Sequence, residues 1–309
     1  MDTQLLKYVG ACLYDMKDIT QYKRYVWFRT RCWLNSGRME KFMDFFQETP
    51  ERKALVKGNP SFIEQATRVF FYKNSTMDER IKLIQEHVEI LEDKFNDDFF
   101  GEVYEHAHGK ENIKLWTLDV DGSELSLDVE FVLGQRKEGC MAIALRLDNK
   151  YMYQIMFWIA KDKTNQPAIF VGALQGPQNA NEEIKLLTKK CFGYRPKNLV
   201  FYGLRSFAKV LGVEKIYAVT TDCYYAMSGL RVDRKLKVDF SEFWKECEGV
   251  PYEKDKRFYV MPVEEHRKDM SELKPSKRAQ HRRRFEMLDA IDSSVFANLE
   301  PMFKKSLKE

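Results

Sequence analysis

The sequence lacks most of the features that announce a function class. Its six cysteines, Cys12, Cys32, Cys140, Cys191, Cys223 and Cys247, show no CxxC spacing, and the pair His106 and His108 has no cysteine close by. Neither a zinc site nor a disulfide framework is expected, and the cysteines read as reduced thiols. No run approaches the ~20 apolar residues of a membrane helix; the most apolar windows are Cys140 to Leu145 and Tyr151 to Ala160. No apolar core follows a basic start at Met1-Asp2, so no signal peptide is expected. Repeats and low-complexity segments are absent. Charge of one sign is scarce as well: 51 basic against 47 acidic residues leave a net +4 over 309 residues. That balance, with no helix-turn-helix or RNP-like aromatic pattern, excludes nucleic acid as the expected partner. No nucleophile is marked either, because Cys223 has no histidine near it in sequence. Asp119, Asp121 and Asp128 alternate around a turn and read as solvated hairpin residues, not as metal ligands.

What is present is a core. The chain is 44% hydrophobic and 14% aromatic, enough for one large domain or two modest ones. Residues 1–112 read as helical. Thr76 to Phe95 is the clearest case, with Ile81, Ile84, Val88 and Leu91 on one face. Gln21 to Asn35 mixes Tyr22, Tyr25, Trp27, Phe28 and Trp33 with Lys23, Arg24, Arg29 and Arg31. Such a mixture suits an anionic membrane surface. The plainer expectation is a helix that packs its rings on the core and turns its arginine heads outward.

From Ile113 the apolar period changes to two, and close connections rich in Gly, Asp and Asn predict an antiparallel meander of about five strands. The last, Ala168 to Leu174, breaks on Gln175-Gly176-Pro177. A helix follows from Asn181 to Phe192, with Asn179 as candidate N-cap and Gly193 closing it. Pro196 opens a second helix with Val200, Leu204, Phe207 and Leu211 on one face, and Lys215 to Thr221 reads as a strand. A helical crossover between two strands implies a parallel pair. The expected fold is therefore α+β: a helical N-terminal region over 1–112, then 113–309 with a mixed, mostly antiparallel sheet, one parallel crossover and a basic C-terminal helix over Ser276 to Ile291.

A meander feeding one parallel crossover resembles the layout of the GNAT acetyltransferases, and YGLRSFAKVLGVEKIYAVT resembles the helix-then-strand half of their cofactor motif. That resemblance implies a transferase using acyl-CoA. The glycines that hold the pyrophosphate there are missing from Gly193 to Asn198, where Pro196 also removes a donor. A second resemblance covers roughly residues 100–295. GALQGP at Gly172 to Pro177, the GYRPKNLVFYGLRSFAKVLGVEKIYAV block, DFSEFW at Asp239 to Trp244 and SELKPSKRAQHRRRFEMLDAI at Ser271 to Ile291 resemble the bacterial VirK/YbjX family. This resemblance implies a role in Gram-negative envelope integrity, antimicrobial-peptide resistance or virulence, from the cytoplasm or the cytoplasmic side of the inner membrane. It brings no established catalytic residues.

Candidate sites follow from topology and charge. The C-terminal ends of two parallel strands are where a cleft opens in such a sheet, which groups Gln175, Gly176 and Gln178 with Thr221, Asp222 and Tyr224. The next helix begins with Arg195 and Lys197, an anion site in one reading and a helix-end ion pair in the other. Lys274 to Arg284 carries six basic residues and no acid, and Arg278, Arg282 and Arg284 are its candidate anion binders. Partners of the expected kind are a phosphate-bearing envelope component, an anionic lipid surface or an envelope protein. The two function classes in view are a GNAT-like transferase acting on an envelope component and a non-catalytic binding factor. A deep polar cleft at Gln175 and Thr221 favours the first, a filled cleft beside a basic or aromatic face the second.

Overall fold

The computed structural model describes residues 3–104, 112–227 and 239–304. Among the described residues seven helices precede the sheet: α1 (Thr3–Leu13), α2 (Ile19–Leu34), α3 (Ser36–Phe45), α4 (Pro50–Gly58), α5 (Ser61–Thr67), α6 (Met77–Lys94) and α7 (Asp97–Tyr104). The sequence states the start of α6 in full. Thr76 accepts from the Glu79 N–H at 3.2 Å while Glu79 accepts from the Thr76 N–H at 2.7 Å, a reciprocal cap that settles two otherwise unpaired donors. Its Ile84, Val88 and Leu91 then face the core. His106 and His108 lie outside the described residues.

The meander is β1 (Ile113–Val120), β2 (Ser123–Glu130), β3 (Met141–Leu147), β4 (Lys150–Lys161) and β5 (Pro167–Gln175). Asp121 and Gly122 adopt φ of 56° and 87°, the left-handed pair that a tight two-residue hairpin demands. From β5 the chain passes through α8 (Asn181–Lys190) and α9 (Pro196–Val210) into β6 (Ile216–Val219), which pairs parallel to β5. After α10 (Phe240–Glu246), β7 (Val250–Pro251) and β8 (Phe258–Met261) close the edge, and α11 (Pro275–Leu299) follows. The strand order is β1-β2-β3-β4-β5-β6-β8-β7, with one parallel pair in an otherwise antiparallel sheet. Asn179 is not the cap of α8. It sits at φ 56° inside the preceding turn, and Ala180 occupies the cap position without a side-chain bond.

Helices cover both faces of this sheet. On one side α9 lies against β3 and β4 and is itself backed by α11. Gly203 permits the approach, since a Cβ there would press on Leu127 and Ile143, and Phe207 meets Phe157 at 5.7 Å. On the other side α6 crosses β4, where the Ile159 N–H donates to His87 Nδ1 at 3.0 Å. Burial holds that imidazole neutral, lowering its pKa to about 3, so it works as a fixed acceptor. Val200, Leu204, Phe207 and Leu211 are all buried. The segment after α11 returns to the C-terminal end of α6: the Asn96 N–H donates to the Met302 carbonyl at 2.8 Å, the Lys304 N–H to the Lys94 carbonyl at 2.9 Å, and Phe95 packs on Phe303 at 4.5 Å.

Candidate functional site

The parallel crossover comes first, because topology places a cleft there. β5 pairs with β6 only from Ile169 to Val171, and then Gly172, an extra residue opposite β4, turns the strand away. Only glycine fits, since a Cβ at 172 would collide with the Glu138 carbonyl oxygen. The space so opened is filled by the chain itself. Tyr224 is buried and donates to Glu138 Oε1 at 2.9 Å, with Phe240 against its ring at 5.4 Å. Trp244 is buried behind it, its indole N–H on the Val219 carbonyl at 2.9 Å. Of the six residues named for the cleft, the structure therefore brings together two. Gln175 donates to Glu138 Oε1 at 3.3 Å and exchanges bonds with Gln135 at 2.8 and 3.1 Å. Thr221 serves α10 instead, bonded to Asp239 at 2.6 Å and Ser241 at 3.2 Å. Gly176 lies against the Tyr153 ring, and Gln178 and Asp222 are exposed. At the start of α9, Arg195 and Lys197 both pair with Glu246 of α10, at 2.8 and 3.3 Å. Their charge is used inside the fold.

Glu138 was not visible in the sequence, where the run from Gly134 to Gly139 reads as a turn. The turn exists, but α5 pulls it under the sheet: Gln65 Nε2 donates to the carbonyls of Arg136 and Gly139 at 2.8 and 3.0 Å, and Arg136 meets the buried Glu64 at 2.6 Å. Burial pushes the Glu138 carboxyl up to about 7, against the pull of Tyr224 and Lys137. One strand over, Asp128 is buried too, contrary to the solvated hairpin expected of it, while Asp119 and Asp121 are exposed. Ser126, Asp128 and Glu130 alternate along β2 with Leu125, Leu127 and Val129, and the face they occupy is the one the N-terminal helices cover. Arg146 reaches Asp128 Oδ2 at 3.1 Å and bonds Glu130, with the Tyr151 ring beneath it at 4.0 Å. Desolvation raises the Asp128 carboxyl to about 6, and Arg146 limits the rise. Since Asp128, Ala144, Gln154 and Gln175 lie opposite one another across β2 to β5, the two groups form a single polar seam. A cavity of about 570 Å³ opens at its β2 end, lined by Glu130, Arg146 and Tyr151 beneath Tyr8, Leu13 and Lys57.

A family model described as "Protein of unknown function (DUF535)" matches residues 17–297. The chain belongs to this family, that of VirK/YbjX. It is 27% identical over 259 residues to the "Uncharacterized protein YbjX" of Escherichia coli, covering 82% of this chain and 77% of that one. An uncharacterized protein of Haemophilus influenzae is 24% identical over 282 residues, 89% of each chain. "Membrane protein LapB" of Mannheimia haemolytica is 24% identical over 211 residues, 66% of this chain and 86% of that protein.

The KPSKRAQHRRR block of this VirK/YbjX chain does not act as one patch. Arg278 and Arg282 are exposed one turn apart near the start of α11, Arg278 with its Nε on the Leu273 carbonyl at 3.1 Å. Arg284 points elsewhere. Its Nε and Nη2 donate to the Phe192 carbonyl at 3.2 and 2.9 Å, and its guanidinium lies over Tyr194 at 5.7 Å. It therefore closes the C-terminal end of α8. Among the described residues no group of three or more His, Cys, Asp or Glu is arranged to hold a metal ion, and no helix is long and apolar enough to cross a membrane.

Proposed function

We propose that the protein is an envelope-associated bacterial factor that binds a phosphate-bearing envelope component without acyl-CoA chemistry at the crossover. The observation that carries this reading is the filled parting of β5 and β6. Tyr224, Phe240 and Trp244 take the volume a pantetheine arm needs, and Glu246 competes with a pyrophosphate for the two cations it would meet. The envelope assignment draws support from the relative named a membrane protein and from the VirK/YbjX resemblance. Phosphate binding falls to Arg278 and Arg282, exposed on a helix turn with no acid between them. Thermal melting with acetyl-CoA and with a soluble phosphorylated disaccharide tests the reading. The disaccharide raises the melting temperature in low salt, Arg278→Gln/Arg282→Gln abolishes that rise, and acetyl-CoA gives none. Stabilisation by acetyl-CoA with transfer of its acetyl group overturns it.

A second reading, catalysis by a GNAT-like transferase, is favoured by the polar seam. Glu138 and Asp128 are buried carboxyls with raised pKa, the state in which a side chain exchanges protons near neutral pH. In that reading the envelope substrate enters from the cavity at Glu130 and Tyr151.

A further inference from the structure

The sequence leads one to expect the rings of α2 on the core, and the structure splits them. Phe28 and Cys32 are fully buried, and Tyr25 packs on Gly10 and Tyr14. Trp27 and Trp33 are 64% and 69% exposed, Ile19 and Leu34 72% and 67%, and Tyr22 and Val26 are exposed beside them. Wound at 3.6 residues per turn, these six fall within an arc of roughly 140° on the side away from Phe28. Soluble surfaces seldom hold so many large apolar side chains together. The helix is also pinned: Asp18 caps it, accepting from the Thr20 and Gln21 N–H groups at 2.7 and 2.9 Å, so the face is presented without an ordering cost.

Resting on the envelope reading above, we propose that this face of α2 is a docking surface for an anionic bilayer, seated at headgroup depth. Three features of the helix select that occupant. First, Trp and Tyr are the side chains that favour the membrane–water boundary, with an apolar ring and a polar edge. Second, α2 carries Lys23, Arg24, Arg29 and Arg31 and no acidic residue. Arg29 lies on one margin of the apolar arc and Arg24 on the other, where basic groups meet lipid phosphates, and the exposed Lys23 stands within the arc; Arg31 is half-buried, with its Nε turned away from solvent. Third, the same charge opposes a second copy of the chain, because two α2 helices face to face would bring like charges together.

The test is cosedimentation with vesicles of phosphatidylethanolamine and phosphatidylglycerol, against vesicles of phosphatidylcholine alone. The other three tryptophans, Trp116, Trp158 and Trp244, are buried, so quenching of fluorescence by brominated acyl chains reports on α2. The wild type binds the anionic vesicles, is quenched, and is released by salt. Trp27→Ala/Trp33→Ala keeps the wild-type melting temperature and binds weaker by roughly tenfold or more. Equal binding of wild type and double variant overturns the proposal while leaving phosphate recognition by Arg278 and Arg282 standing, which the soluble disaccharide measures separately. A lipid-free dimer that the double substitution dissolves also overturns it, since a second copy then covers the face. Indifference of the wild type to anionic vesicles does the same.

Discussion

Replacing Arg284 by Gln separates a structural arginine from the two beside it that face solvent. The guanidinium makes two bonds to one carbonyl, that of Phe192, which stands at φ 54° next to Gly193 at φ 77° where α8 reverses direction. A hydrogen bond from a charged donor contributes about 1.5–3 kcal/mol, and the pair here shares one acceptor at a half-buried site, so the lower end applies. Stacking over Tyr194 adds about 0.5 kcal/mol. Arg284→Gln should then cost ~2 kcal/mol, or a fall in melting temperature of about 4 °C for a chain of this size. Arg278→Gln and Arg282→Gln, both exposed, should each stay within ~0.5 kcal/mol of wild type. Calorimetry and urea unfolding measure all three. If Arg284→Gln melts with the wild type and loses phosphate binding as the other two do, the three arginines form one anion site and the division drawn here is wrong.

Leu204→Ala removes a fully buried side chain of α9 and should cost ~2–5 kcal/mol in urea unfolding; a loss below ~1 would place that helix face in water. Arg136→Met leaves the buried Glu64 with Tyr14 and the more distant Arg68, and should cost ~3–5 kcal/mol, part of which Glu64→Gln in the same chain restores. Glu138 holds its proton up to about pH 7 when folded and only to its usual value of about 4.5 when unfolded, so the native state binds the extra proton between those limits. Stability should therefore fall as pH rises from ~4.5 to ~7, by up to roughly 3 kcal/mol from this group. Asp128 adds a fall of the same sign below about pH 6. Glu138→Gln should flatten the pH profile of the melting temperature; an unchanged profile would mean that the carboxyl is ionised in the fold.

The parts of the fold that announced themselves are those where one local rule suffices. α6 carries its cap and its apolar stripe in one stretch, and the second crossover helix, α9, is bounded by Pro196 and Gly212, the latter at φ 66°. The candidate site was less legible because burial there is decided at a distance. Ser126, Asp128 and Glu130 alternate with leucines and a valine as they would on any half-wet strand, and only the helices laid across them make that face dry. Glu138 sits in a glycine-bounded turn whose burial depends on Gln65, 74 residues before the carbonyl of Gly139 it holds. α2 is apolar on both sides, so periodicity alone cannot say which rings face inward. Phe28 is chosen by contact with Tyr14 at 6.0 Å, across a chain reversal.

The join between Lys94–Asn96 and Met302–Lys304 bears on how the molecule is made. A ribosome releases α6 long before the strand of chain that completes its C-terminal end, so Phe95 waits, uncovered, through the synthesis of the whole sheet. Phe99 stacks on it at 3.7 Å and shields one side of the ring in the interval. The contact spans more than two hundred residues, so it cannot form before the residues around Met302 are synthesised. A chain that stops short of Met302 therefore leaves one face of Phe95 without its partner Phe303 and two backbone hydrogen bonds at the end of α6 unmade.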